Sequence, residues 1–370
     1  MKLFSGILLL TLISLLFVSA KQNRLKKEPV IFSRSGTAII MTGAAARIPQ
    51  EAGLLEELYF RGLMKDVVFI SGVSSGALNA VMLNGILSGK MTWDEYKEIL
   101  FNLKNSDIFI QRGKKRLPVD TEPTRKLFTG IVEDRLGYHQ IGDLPYMTEI
   151  SFTDLKDIDL KKKVYRMCSR KINEETDTTL SLVDIMMASS SFPIAFPPVR
   201  IRNVKTIPDV GYVDGGVGDD HVPFHSLLEF EKFRGTGVQR VYIISRKSDS
   251  IPQVSEELKV LGIDDKGRFD KMGVSLDNIL KKGMMKRLRA YAVQAPQLIP
   301  LTYVWMPDFE KDFLMFNFGS LREQYTETSI WAKTHNPVPL YNYLLENPKK
   351  RNQNNKNETI YTPMARYRHK

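Results

Sequence analysis

Val67-Val68-Phe69-Ile70-Ser71-Gly72-Val73-Ser74-Ser75-Gly76-Ala77-Leu78-Asn79-Ala80 decides how this 370-residue chain is read. An apolar, β-branched run stops at a G-x-S-x-G pentad, and helix-forming residues follow at once. The sharp turn from strand to helix leaves a serine standing clear of both elements. Gly72 and Gly76 remove the side chains that would collide across the bend, and the helix start puts the Ser74 oxygen at the positive end of a helix dipole. The pattern predicts a nucleophile elbow with Ser74 as the attacking hydroxyl. A Gly/Ser-rich β–α turn without chemistry is the plain alternative.

Outward from this segment, short β-branched runs alternate with longer amphipathic stretches. Strands are expected over 37–42, 67–71, 146–153, 164–169, 240–245 and 301–306, and helices over 52–61, 75–88, 93–103, 180–190, 277–295 and 320–333. That alternation predicts an α/β fold of three layers, α/β/α, with a central, mostly parallel sheet and Ser74 at the carboxyl end of a strand. No internal repeat is evident.

A serine nucleophile needs oxyanion donors and a base. One strand upstream, Thr42-Gly43-Ala44-Ala45-Ala46-Arg47 is a loop of tiny side chains ending in one arginine, able to present consecutive backbone N–H groups to an oxyanion. Its plain reading is a tight strand-to-helix connection. Downstream, Gly211-Tyr212-Val213-Asp214-Gly215-Gly216 sets an acid at the end of a short apolar run, where it can take the serine proton directly, although Asp-Gly is also a common turn pair. Between them lies Met187-Ala188-Ser189-Ser190-Ser191-Phe192-Pro193-Ile194-Ala195-Phe196-Pro197-Pro198, a helix end running into a proline-rich loop.

In this order and spacing the four segments resemble the patatin-like phospholipases, firmly over 36–223 and more faintly through the strands at 240–245 and 301–306 and Phe316-Asn317-Phe318. The resemblance implies a patatin-like catalytic domain, here over 31–335, and a lipid acyl hydrolase of phospholipase A or lipase type. It makes Ser74 the nucleophile and Asp214 its direct partner, without a histidine. It also implies that Gly43, Ala44 and Ala45 line the oxyanion hole, that Arg47 braces that loop, and that the substrate is a phospholipid or another acyl lipid. The family's G-G-G-x-R-G stands here as G-A-A-A-R-I, with Ala44, Ala45 and Ile48 in place of glycines, and alanine is costly wherever φ must be positive. The family's usual asparagine after D-G-G is absent, with Asp220 or His221 near its place.

Two rival readings remain open. An ordinary α/β-hydrolase would use Ser74 with a histidine, His335 being best placed of the five, and Asp308 or Asp312 as its partner. A lipid-binding protein with weak or no catalysis would bind through the stripe Leu280, Met284, Leu288 and Tyr291, set among lysines and arginines; a core-packed helix with an exposed basic face is the plainer reading of that stripe.

Composition narrows the partners. The chain has 53 Lys+Arg against 42 Asp+Glu, a net charge of +11, which favours anionic partners. No nucleic-acid-binding pattern is present, and an anionic membrane surface fits the charge equally well. No metal or organic cofactor is implied, and the single cysteine, Cys168, excludes an intrachain disulfide and reads as a buried small hydrophobe. Residues 1–20 carry one lysine, an apolar run and Val18-Ser19-Ala20, and so read as a signal peptide for export to a secreted, periplasmic or endomembrane-lumen site. Lys21, Arg24, Lys26 and Lys27 would suit an uncleaved membrane anchor instead. Residues 348–370 read as a basic polar tail, with a glycosylation sequon at Asn357.

Overall fold

Residues 38–41, Ala-Ile-Ile-Met, are wholly apolar, and every one of their side chains is buried. Ala38 and Ile40 pack into one hydrophobic cluster, Ile39 and Met41 into another, as the period of two in a strand requires. A strand covered on both faces is the mark of the middle layer of three. The computed structural model describes residues 33–346 except 112–116, 155–162, 219, 248–253 and 272–275. In it, Thr37–Met41 (β1), Val67–Val73 (β2), Met147–Asp154 (β3), Val164–Cys168 (β4), Tyr212–Asp214 (β5), Arg240–Ile244 (β6), Thr302–Trp305 (β7) and Val338–Pro339 (β8) form one sheet.

The sheet runs β4-β3-β2-β1-β6-β7-β8, with β5 paired to β3. The β1–β2, β1–β6, β2–β3 and β6–β7 pairings are parallel, while β4, β5 and β8 join antiparallel. One face is covered by Ile48–Phe60 (α1), Ser75–Leu87 (α2), Trp93–Asn102 (α3), Leu182–Ser189 (α4) and Leu321–Thr334 (α7). The other is covered by His225–Arg234 (α5) and Leu276–Gln294 (α6). The six strands and six helices expected from the sequence all form, with displaced ends. β5 and β8 carry too few residues for a periodicity to register, and β8 continues the sheet past residue 335.

Of the two readings of the stripe on α6, the core-packed one holds and the lipid-facing one does not. Met284, Leu288 and Tyr291 are 2%, 0% and 0% exposed and pack beneath the sheet, so this part of the apolar face of α6 is core. Buried Tyr291 hydrogen-bonds Thr302 Oγ1 at 2.8 Å, which fixes the helix to β7. Cys168 is a free, buried thiol whose pKa burial pushes up. The signal or anchor segment at 1–20, the tail at 348–370 and the Asn357 sequon lie outside the described residues. Within them, no helix is long and apolar enough to cross a membrane.

Candidate active site

Strand register brings Ser74 and Asp214 together across 140 positions of sequence. On β3, Ser151 pairs with Val73, the last residue of β2, and the next residue, Phe152, pairs with Asp214. Since β4 already occupies the other edge of β3, β5 meets β2 end to end along the same edge. The residue after β2 is Ser74 and the last residue of β5 is Asp214, so both face one gap.

The elbow is built as its glycines require. Ser74 sits at φ 57° and ψ −133°, a conformation nearly reserved for glycine, and α2 begins with the next residue. A Cβ on Gly72 would stand 2.2 Å from the Gly76 carbonyl oxygen, so no side chain fits inside the bend. Ser189 Oγ, at the end of α4, accepts the Ser74 N–H at 2.9 Å and donates to the Ser151 carbonyl at 2.8 Å. The Ser191 carbonyl accepts the Asp214 N–H at 3.0 Å. The serine-rich segment before Phe192 is therefore the clamp that holds the Ser74 loop and the Asp214 loop together.

Asp214 is 4% exposed. Burial pushes its carboxyl up to about 6, against the lowering by hydrogen bonds from the Ser74 side chain and the Gly216 N–H, the latter at 2.8 Å. It is an acid poised to exchange a proton near neutrality, in contact with one hydroxyl.

The loop after β1 is held from behind. Glu51, fully buried on α1, accepts the Thr42 N–H at 3.0 Å, the Thr42 hydroxyl at 3.0 Å, the Gly43 N–H at 2.7 Å and Asn79 Nδ2 from α2 at 3.1 Å. Burial raises its pKa while these bonds oppose the shift. Arg47, also fully buried, donates from Nε and Nη2 to the Phe313 carbonyl at 3.1 and 2.9 Å, and the Ala46 N–H donates to the Met315 carbonyl at 2.7 Å. The Ala44 N–H donates to Ser75 Oγ at 2.9 Å. The Ala45 N–H takes part in none of these bonds.

Ser74, Ser75, Asp214 and Gly43 to Ala45 line one cavity of about 590 Å3. Most of its lining is apolar, including Leu78, Leu103, Phe128, Met187 and the aromatic group Phe192, Phe196 and Phe316, whose rings meet at 5.8–6.3 Å. Arg246, Lys286 and His221 line it too. A mostly apolar cavity with a few polar groups is the usual make-up of a small-molecule site.

A family model, described as patatin-like phospholipase, matches residues 39–228, more than half the chain. The chain belongs to the patatin-like phospholipase family. A solved structure, VipD from Legionella pneumophila, aligns over 82% of this chain and 67% of its own, at 12% identity and a TM-score of 0.40. A search of curated proteins finds no match.

As a patatin-like protein it departs from its family where the sequence says it does, and the structure shows how each departure is accommodated. Ala44 is extended at φ 178°, which any residue adopts, whereas Ala45 sits at φ 47°, at a cost of about 1–2 kcal/mol. Ile48 starts α1, 2% exposed, and lines the cavity with its apolar side chain. In place of the patatin-like asparagine, Asp220 is fully buried between Arg166, at 3.2 Å, and Arg287, at 2.9 Å, with its N–H on the Gly215 carbonyl. An ion-paired carboxylate thus supports the acid loop.

Of the histidines, His335 is exposed at the end of α7. It stacks on Trp331 at 4.2 Å and bonds that residue's carbonyl, and it is not among the cavity residues. Among the described residues, His221 is the histidine that reaches the cavity, its Nδ1 3.4 Å from where a Gly216 Cβ would stand. Sequence reasoning gave Glu51, Ser75 and Ser189 no role in the site. Only G-x-S-x-G itself carried a hint of Ser75, and nothing local marked the other two.

Proposed function

We propose that this protein is a serine acyl hydrolase that cleaves fatty acyl esters of membrane lipids with the dyad Ser74–Asp214. The observation that carries the reading is the strained Ser74 hydroxyl against a buried Asp214 of raised pKa, lining a mostly apolar cavity. Ionised Asp214 takes the proton of Ser74 as Oγ attacks the ester carbonyl, and the loop at Gly43 to Ala45 faces the resulting oxyanion. Collapse of the tetrahedral intermediate expels the alcohol, which takes the proton back from Asp214. Water, deprotonated by the same carboxylate, then attacks the acyl-enzyme, and Ser74 Oγ leaves with the proton from Asp214 as the fatty acid is released. Hydrolysis of a panel of phospholipids and neutral glycerides by wild type and Ser74→Ala tests this; equal traces from both would overturn it and leave a lipid-binding protein.

The triad alternative is weakened by the place of His335. His335→Ala is expected to leave kcat within about twofold of wild type, as befits a side chain outside the reacting groups. A loss of 10²-fold or more, on the order seen for an essential base, would restore the triad.

The anionic membrane surface belongs to this proposal as well, and Ile194 supports it. This β-branched residue lines the cavity, is 79% exposed and holds φ 72°, so it carries both backbone strain and apolar exposure. Insertion of such a side chain into a lipid layer recovers the exposure cost. Ile194→Asn, which tolerates the left-handed backbone, is expected to lower the ratio of vesicle hydrolysis to soluble-ester hydrolysis by about tenfold, the value of one buried aliphatic side chain. An unchanged ratio would show that Ile194 does not enter lipid.

A further inference from the structure

The donors of the loop at Gly43 to Arg47 can be followed one by one. The Gly43 N–H is bound to Glu51 and the Ala46 N–H to the Met315 carbonyl. The Arg47 N–H closes back on the Ala44 carbonyl at 3.0 Å. The Ala44 N–H ends on Ser75 Oγ. That leaves the Ala45 N–H as the one donor this loop still has to offer, where acyl transfer commonly uses more than one.

We propose that the Ser75 hydroxyl is the second donor, so that the oxyanion is held by a relay from Ala44 N–H to Ser75 Oγ–H to substrate. This rests on the acyl-hydrolase reading of Ser74 and deepens it. Ser75 lines the cavity directly beside the nucleophile, half-buried. A serine hydroxyl has one proton to give and two lone pairs with which to accept. One lone pair of Ser75 is taken by the Ala44 N–H, and among the described residues its proton goes to no acceptor. An N–H donating to that oxygen polarises the O–H bond and makes the proton a better donor, as in any hydrogen-bonded chain. The relay extends the reach of the loop by one hydroxyl. Ser75 therefore makes up for the Ala44 amide, which ends on a neighbouring side chain instead of meeting substrate.

The test is steady-state hydrolysis of p-nitrophenyl butyrate by the full chain, wild type beside Ser75→Ala, Ser75→Thr and Ser74→Ala, with inhibition by an alkyl trifluoromethyl ketone whose serine adduct carries an oxyanion. Ser75→Ala is expected to lose about 10²-fold in kcat, with KM within about threefold, and to bind the ketone more weakly in proportion. Ser75→Thr, which keeps the hydroxyl, is expected to retain most of the activity. Retention of kcat in Ser75→Ala, a loss confined to KM, or a threonine variant as impaired as the alanine would each overturn the proposal. A wild type whose turnover does not depend on Ser74 would overturn the hydrolase reading and Ser75's role together. Ser74-dependent turnover indifferent to Ser75 overturns the relay alone.

Discussion

Ser74→Gly is expected to abolish ester hydrolysis and to make the protein more stable. The Ser74 backbone, φ 57° and ψ −133°, lies where only glycine rests without strain. A serine there costs on the order of 1–3 kcal/mol, and glycine returns part of that through its greater freedom when unfolded, for a net gain of roughly 1 kcal/mol. That gain should appear as a rise of a few degrees in the melting temperature. Turnover should fall by a factor on the order of 10⁴–10⁶, the range for loss of a nucleophile. A variant that hydrolyses p-nitrophenyl butyrate at more than about a hundredth of the wild-type rate would remove Ser74 from the mechanism. A lowered melting temperature would mean that the bend is held by the serine side chain rather than despite it.

The second large effect concerns Asp214. In the proposed mechanism its ionised form is the base, and its pKa is pushed up to about 6, so kcat/KM is expected to fall tenfold per pH unit below that value and to level off above it. The stability effect has the opposite sign. A carboxyl whose folded pKa lies above the unfolded value of about 3.9 binds more protons in the native state over the interval between the two. It stabilises the fold below pH 4, and that stabilisation is lost as pH rises through about 6. At neutral pH the buried charge therefore costs the fold on the order of 3 kcal/mol.

Asp214→Asn keeps an acceptor for the Gly216 N–H without the charge. It is expected to melt higher than wild type at pH 7.5, with the gap closing towards pH 4.5, and to lose about 10⁴-fold in kcat. Thermal melts of the two proteins across that range check the sign. A gap that widens as pH falls would mean that Asp214 is stabilised, not destabilised, as an anion. Comparison with the variant isolates Asp214 from other buried acids of raised pKa, such as Glu51, Glu149 and Glu231.

The two large effects share a cause. Strain at Ser74 and desolvation at Asp214 both make the folded state less stable, and both are carried where the chemistry is proposed. Sequence reasoning singled out these two residues because each sits in a short pattern with its own local physics: a glycine-flanked serine after an apolar run, and an acid followed by two glycines. It could not find what holds them. Ser189 is one of three consecutive serines, and nothing local says which of them reaches Ser74 and Ser151. Glu51 looks like an ordinary acid in the first turn of a helix until its carboxylate is seen holding the Thr42–Gly43 backbone and Asn79. His335 looked better placed than His221 by chain order, yet it stacks on its own helix while His221 reaches the cavity. The stripe Met284, Leu288 and Tyr291 reads the same whether it faces lipid or sheet, because amphipathicity does not say what the apolar side meets.

By itself, the sequence determined the alternation of strands and helices, the elbow at Ser74 and the family of the chain, since periodicity and turn chemistry act over a few residues. Tertiary structure alone decided that β5 ends against β2, that the Gly43 and Ala44 amides are bound to Glu51 and Ser75, and that Asp214 is buried enough to hold a raised pKa. Register and burial arise from segments far apart in the chain, and no local pattern encodes which of them will meet.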